Sequence, residues 1–273
     1  MKVAAYQAPL SACGSMVEAL ALIRDQVEWC ESAGVEILCC PEGVLGGLAD
    51  HATQPTAIAI DVEDGRLNMV LAPLASDTVT TILGFTEIDR PGRLYNSAAV
   101  FHKGSVAGVY RKLHPAINRS VYEAGREVPI FQVGELTFGV VICNDSNYPE
   151  LARFMAAQGA MALFVPTNNA LPLTRAHWDL ASEARNVDIA TAVENSMWVI
   201  RADVAGRTPD LLSYGSSGIV NADGMVLWSG HRLRADLVVA DIETAPRERH
   251  RGERLERQPV MDDPMILGAI FPS

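Results

Sequence analysis

Positive charge is what this chain is most short of. Lys and Arg number 22 against 33 Asp and Glu, a formal net of −11. The field around such a protein repels phosphate backbones and anionic membranes, so nucleic acid is excluded as an expected partner. A long apolar run is missing as well. The opening MKVAAYQAPL carries one lysine and a short apolar segment broken by Gln7 and Pro9. That is too short for the core of a signal peptide or for a membrane span, so a protein that is neither exported nor embedded is expected. Cysteine is sparse and unpatterned: Cys13, Cys30, Cys39, Cys40 and Cys143 are odd in number and lack metal-ligand spacing, and two of them adjoin within an apolar run. This argues against a metal site and suits buried, reduced thiols and a cytoplasmic location. No Pro/Ser-rich linker, charge block or low-complexity stretch divides the chain, which predicts one domain over residues 1–273.

What is present is an alternation of strand-like and helix-like segments with a hydrophobic fraction of 49%, ample for a large core. Residues 2–7 predict a strand. Residues 15–33, with Val17, Leu20, Leu22, Ile23, Val27 and Cys30 near helical spacing and Gly34 behind them, predict a helix. Residues 35–40 predict a second buried strand that runs into Pro41-Glu42, and 67–76 a helix ahead of a strand at 79–86. Two stretches read as hairpins, 97–110 around Lys103-Gly104-Ser105 and 217–228 around Ala222-Asp223-Gly224. Between them a helix is expected at 149–158, a strand at 160–166, a long helix at 176–194 and a strand at 197–202. The repeated hairpin implies two similar half-sheets packed together with helices outside, an α/β class. In the C-terminal arm, roughly 246–273, five arginines alternate with glutamates as on a solvated surface, and the apolar tail after Pro259 is expected to pack on a second subunit.

The organising stretch is LTFGVVICNDSNYPE, residues 136–150. A short apolar run of β-formers ends at the turn cluster Asn144-Asp145-Ser146-Asn147, and so brings Cys143 to a strand end, where free backbone N–H groups stand beside the side chain. Glu42 and Lys112 also follow strands. Taken singly each has an ordinary reading: Cys143 as a packed small hydrophobe, Glu42 as a helix cap, Lys112 beside Arg111 as surface charge. Together they fit acyl transfer, with a cysteine nucleophile, a buried glutamate as its base and a lysine for the developing oxyanion.

From VAAYQAPL through CCPEG, YNSAAVF, GVYRKLHP, FGVVICNDSNYPE and AVEN to YGSSGIVNADG, nearly the whole chain resembles the carbon-nitrogen hydrolase (nitrilase) superfamily, in its amidase-like branch. The resemblance implies a four-layer α-β-β-α sandwich, no cofactor and association into a homodimer or higher homo-oligomer. It also implies hydrolysis of an amide C–N bond in a small molecule through a cysteine thioester, with Glu42 as general base, Lys112 as oxyanion lysine and Cys143 as nucleophile. The backbone N–H of Asn144 would complete the oxyanion hole.

The departures limit the substrate. Many amidase members carry a second glutamate after the lysine, but LHPAINRSV holds no acid, and Glu123, the nearest carboxylate, is not assigned that role. The RAxEN motif reads Thr191-Ala192-Val193-Glu194-Asn195, without its arginine. Cys143-Asn144-Asp145 resembles the CND of carbamoyl amino acid amidohydrolases rather than the CWE of true nitrilases, yet the two arginines that follow CND are Ser146 and Asn147 here. Without that bidentate grip a neutral amide is expected over a carboxylate-bearing substrate. Thr167, Asn168 and Asn169 are expected to line the pocket, and His177, with Trp178, to stand over its mouth. The alternatives are an N-carbamoyl amidohydrolase, a silent family member serving as a binding module, and a Cys-His enzyme. The last lacks both the glycines flanking a nucleophile elbow and a histidine in a comparable motif.

Overall fold

The structure is a computed structural model, and it describes residues 1–116, 120–175 and 180–244. In chain order the first half runs β1 (Lys2–Pro9), α1 (Met16–Ala33), β2 (Ile37–Cys39), β3 (Ile60–Asp61), α2 (Arg66–Leu71), β4 (Thr80–Ile88), β5 (Leu94–His102) and β6 (Ser105–Arg111). It continues with β7 (Ile130–Val133), β8 (Leu136–Val140), α3 (Pro149–Ala157), β9 (Ala162–Pro166), β10 (Leu171–Pro172), α4 (Leu180–Asn195) and β11 (Trp198–Ala202). The chain closes with β12 (Val204–Arg207), β13 (Leu211–Ser213), β14 (Gly218–Val220), β15 (Val226–Ser229) and β16 (Asp236–Asp241).

Among the described residues these strands make a ten-stranded sheet in the order β10-β13-β12-β1-β2-β4-β5-β6, with β16 also on β1 and β3 also on β4, and a six-stranded sheet β15-β14-β11-β9-β8-β7. The two expected hairpins are β5-β6 and β14-β15, one in each sheet. The result is the four-layer α-β-β-α sandwich.

Alternation along the strands builds the layers. Val3, Ala5, Ile37, Cys39, Ile82, Ala98 and Val100 share one core with Phe138, Val140, Phe164 and Ile200 of the second sheet. Their immediate neighbours Ala4, Leu38, Cys40, Leu83, Ala99 and Phe101 point the other way, onto Ala19, Ile23, Val27 and Cys30 of α1. Successive strand side chains face opposite sides, so a strand buried on both faces must read as a continuous apolar run, as VAAY and ILCC do. Each fully buried large side chain contributes roughly 1.5–3 kcal/mol of transfer free energy. Helix α1 is capped by the Ser15 hydroxyl, which accepts from Glu18 N–H, and ends on Gly34 with φ 71°.

The structure departs from the sequence expectations at several element ends. The second strand is confined to Ile37–Cys39; Cys40 N–H still donates to Ile82 O of β4, but Glu42 N–H has turned to Thr167 O, beyond β9 of the other sheet. The expected 67–76 helix stops at Leu71, and Pro73 sits in a 3-10 turn over Ala72–Leu74. Strand β16 was not anticipated, and it pairs antiparallel along the length of β1. The first turn of the expected 176–194 helix and the 246–273 arm lie outside the described residues.

Strand direction positions the site. β1, β2 and β4 are parallel and β5 and β6 follow as antiparallel neighbours, so β2 and β6 point the same way. β8, β9 and β11 are mutually parallel in the other sheet. Glu42, Lys112, Cys143, Asn168 and Asp203 come just after the carboxyl ends of β2, β6, β8, β9 and β11 in turn, which is where an α/β sheet opens to ligands.

Candidate active site

Glu42 leaves β2 on a backbone that crosses Gly84 at close range. Gly84 N–H donates to Pro41 O at 3.0 Å, and a Cβ on Gly84 would stand 2.6 Å from Glu42 Cα. Only glycine lets the two backbones approach so nearly. Glu42 is 2% exposed. It accepts from Lys112 Nζ at 2.6 Å, Asn96 Nδ2 at 2.7 Å and the Asn168 N–H at 2.9 Å. Three donors, one within β5 and two after the ends of β6 and β9, therefore hold one buried carboxylate in place. Burial pulls the Lys112 ammonium down, but Glu42, with Cys143 and Asp145, outweighs it and holds the group above the ordinary lysine range. Lys112 is thus a fixed positive charge.

Cys143 opens a 3-10 turn, Cys143–Asn147, with φ 46°. A left-handed backbone at a residue other than glycine costs of order 1–3 kcal/mol and persists only where surrounding contacts impose it. Asp145 supplies them. Completely buried, it accepts from Tyr110 Oη at 2.8 Å, His114 N–H at 2.8 Å, His114 Nδ1 at 3.1 Å and Ile142 N–H at 3.2 Å. Burial and the Glu42 charge push the Cys143 thiol up to about 12, against the opposing pull of Lys112 and Arg201. At neutral pH the Cys143 side chain therefore keeps its proton. Its Sγ donates to Asn169 Oδ1 at 3.6 Å.

These groups line a cleft of about 730 Å³ together with Asn144, Ser146, Asn147, Asn168 and Asn169. Asp50, His51, Arg175 and Glu183 also line it. The structure thus brings together Glu42, Lys112, Cys143, Asn144 and Asn168 from the sequence-derived set. Thr167 does not line the cleft: it is fully buried, donates to Val165 O at 3.0 Å and accepts from Arg201 Nη1 at 2.8 Å. His177 lies outside the described residues. Asn144 uses its side chain to donate to His114 O at 3.1 Å. Glu123 is exposed and is not among the lining residues. Among the described residues no group of three His, Cys, Asp or Glu side chains converges as metal ligands, and no helix is long and apolar enough to cross a membrane.

Sequence reasoning missed two residues. Asn96, at the start of β5, fixes Glu42. Arg201, 2% exposed, binds Asp188 through Nε and Nη2 and donates from Nη2 to Ser146 Oγ at 3.0 Å. A guanidinium therefore stands behind the Cys143–Asn147 turn, supplied from a strand beside Thr191's helix; its signal is an arginine inside the apolar strand WVIRA. Asn169, expected with Thr167 and Asn168 along the pocket, lines the cleft.

Comparison with known proteins places this architecture. The carbon-nitrogen hydrolase family model matches residues 2–249. A hydrolase encoded in the 5′ region of pqqF in Pseudomonas protegens is 30% identical over 233 residues, 82% of this chain and 76% of its own. A probable nitrilase of Schizosaccharomyces pombe is 35% identical over 153 residues, 55% of this chain and 54% of its own, so this match spans about half the length of that relative. Among solved structures, a cysteine-to-alanine mutant of an amidase of the nitrilase superfamily from Nesterenkonia superposes with a TM-score of 0.75 at 22% identity, covering 89% of this chain and 90% of that one. At that identity the likeness is one of fold.

Proposed function

This chain belongs to the carbon-nitrogen hydrolase family, and from that premise we propose that it hydrolyses the C–N bond of a small linear carboxamide through a thioester on Cys143. The observation that carries this reading is the meeting of Glu42 and Lys112 at 2.6 Å, both buried, in the cleft that Cys143 lines. In the first half-reaction the Cys143 proton passes to the Glu42 carboxylate as Sγ attacks the carbonyl carbon. The oxyanion forms beside the Lys112 ammonium and the Asn144 N–H, the second N–H of the 3-10 turn that Cys143 opens, where no acceptor lies ahead within that turn. Glu42 returns its proton to the nitrogen, the C–N bond breaks, and ammonia or an amine leaves. In the second half Glu42 takes a proton from water, which attacks the thioester and frees the carboxylic acid and the thiol.

Carboxamides are preferred over nitriles because a nitrile has no oxygen to place against those donors until it is hydrated, so they gain less from its first transition state. N-carbamoyl amino acids are poor substrates. Ser146 and Asn147 cannot chelate a carboxylate, and the nearby Arg201 already commits Nε and Nη2 to Asp188 and Ser146. We also read residues 1–273 as a single carbon-nitrogen hydrolase domain that works in the cytoplasm as a homo-oligomer.

The test is kcat/KM for one small aliphatic scaffold presented as carboxamide, nitrile and carbamoyl amino acid. The carboxamide is expected to lead. A nitrile or carbamoyl compound ahead by about tenfold, roughly 1.4 kcal/mol, overturns the preference.

A further inference from the structure

A buried carboxylate behind the cleft determines which end of a side-chain amide the nucleophile meets. Asp203, fully buried after β11, accepts four hydrogen bonds: from Asn169 N–H at 3.0 Å, Val204 N–H at 2.8 Å, Ser216 N–H at 2.9 Å and Ser216 Oγ at 2.6 Å. A hydroxyl has one proton, and Ser216 donates it to the carboxylate. Its oxygen is left only as an acceptor. Asn169 Nδ2 lies 3.1 Å from that oxygen and must therefore be the donor. The other end of the amide, Oδ1, is thereby turned toward Cys143 Sγ at 3.6 Å. The orientation follows from proton counting along Asp203, Ser216 and Asn169.

We infer that Asn169 is a specificity residue of this site: its Oδ1 accepts an N–H of the scissile carboxamide and so selects substrates whose leaving nitrogen carries hydrogen. The inference rests on the thioester reading above. In a near-attack arrangement the carbonyl carbon stands about 3–3.5 Å from the sulfur, and the nitrogen is one bond beyond it. An acceptor already within 3.6 Å of the sulfur is placed to take an N–H from that nitrogen once the thiol proton has left. The nitrogen's lone pair then stays free for the proton that Glu42 returns, and the C–N bond breaks with ammonia leaving. A nitrile nitrogen and an ester oxygen have no hydrogen to offer, so they leave a desolvated acceptor unpaired, and a site built around a substrate hydrogen bond rejects the analogue that lacks it. Ser216 and Asp203 do not touch the substrate in this scheme. They are positioning residues.

The experiment compares two acyl donors with the same acyl group on the full chain: a small aliphatic carboxamide, followed by ammonia release, and its p-nitrophenyl ester, followed by the nitrophenolate burst that reports acylation of Cys143. Asn169→Ala removes the acceptor, and Ser216→Ala removes the partner that orients it; thermal melts check that both variants fold. Both should lower the ratio of amide kcat/KM to ester acylation rate by about tenfold or more for Asn169→Ala and by a smaller factor for Ser216→Ala. A structural disturbance at the nucleophile would depress both donors together and leave the ratio unchanged, and that result overturns the inference. If the wild-type protein is acylated by the ester but releases no ammonia from the carboxamide, the amide reading itself fails and takes this inference with it. If wild-type amide turnover is present and the ratio is unmoved in both variants, only the role of Asn169 fails.

Discussion

The hydroxyl of Tyr110 donates to Oδ2 of Asp145 across 2.8 Å, joining the two sheets at residues two positions before Lys112 and two positions after Cys143. The oxyanion lysine and the nucleophile proposed above are thus registered through one buried carboxylate. Asp145→Asn keeps the shape but turns an NH₂ group against donors. We expect it to lower stability by about 1–3 kcal/mol and to reduce kcat in the fraction that remains folded, whereas Tyr110→Phe should cost only about 1 kcal/mol. Urea midpoints and single-substrate kinetics measure both. An Asp145→Asn protein with wild-type midpoint and kcat would show that the tie does not set the site.

Lys112 is expected to act on the transition state rather than on substrate affinity. Removing one oxyanion donor typically lowers turnover by about 10²- to 10³-fold, so Lys112→Met should lose kcat by that order with little change in KM. The variant also leaves Glu42 with the Asn96 and Asn168 donors only, so its folding should be checked by circular dichroism. A raised KM at unchanged kcat would assign Lys112 to binding instead.

The thiols set the alkaline limit. Burial pushes Cys13 and Cys30 up to about 12, and burial together with Glu42 does the same for Cys143. An unfolded chain releases thiol protons at about pH 8.5. Between that value and about 12 the folded protein holds protons that the unfolded chain has lost, so stability falls as pH rises through this window. The melting temperature should therefore hold near neutrality and decline from about pH 9 upward. Alkylation of Cys143 by iodoacetamide should keep accelerating past pH 9. A rate that levels off near neutral pH would reveal a preformed thiolate and contradict this account.

The triad candidates were legible in the sequence because each follows a β-run directly: Pro41-Glu42 after ILCC, Arg111-Lys112 after VAGVY, Cys143 after LTFGVVI. Strand ends are local events, and local patterns encode them. The residues that hold these side chains were not legible, because their partners lie far away in sequence. Asn96 reaches Glu42 across 54 residues, Asn169 reaches Ser216 across 47 and Arg201 reaches Ser146 across 55. Thr167 was expected in the pocket from its place after β9, but the alternation of the strand end turns it inward to Arg201. The lost arginine of the RAxEN motif is a related case. The motif reports only its own helix, while the buried guanidinium comes from the adjacent strand and meets Asp188 one turn before Thr191. Strand β16 escaped notice because Asp236–Asp241 pairs with β1 from the opposite end of the described chain.

In the scheme proposed above, a carboxamide acylates Cys143. This step is tested most directly by rapid acid quench under saturating small aliphatic carboxamide, followed by intact mass measurement and peptide mapping. The account predicts a mass increase equal to the amide less ammonia, located on the peptide bearing Cys143 and absent from Cys143→Ala, which should release no ammonia above background. An adduct on Cys13, Cys30, Cys39 or Cys40, or ammonia release that persists in Cys143→Ala, would contradict it.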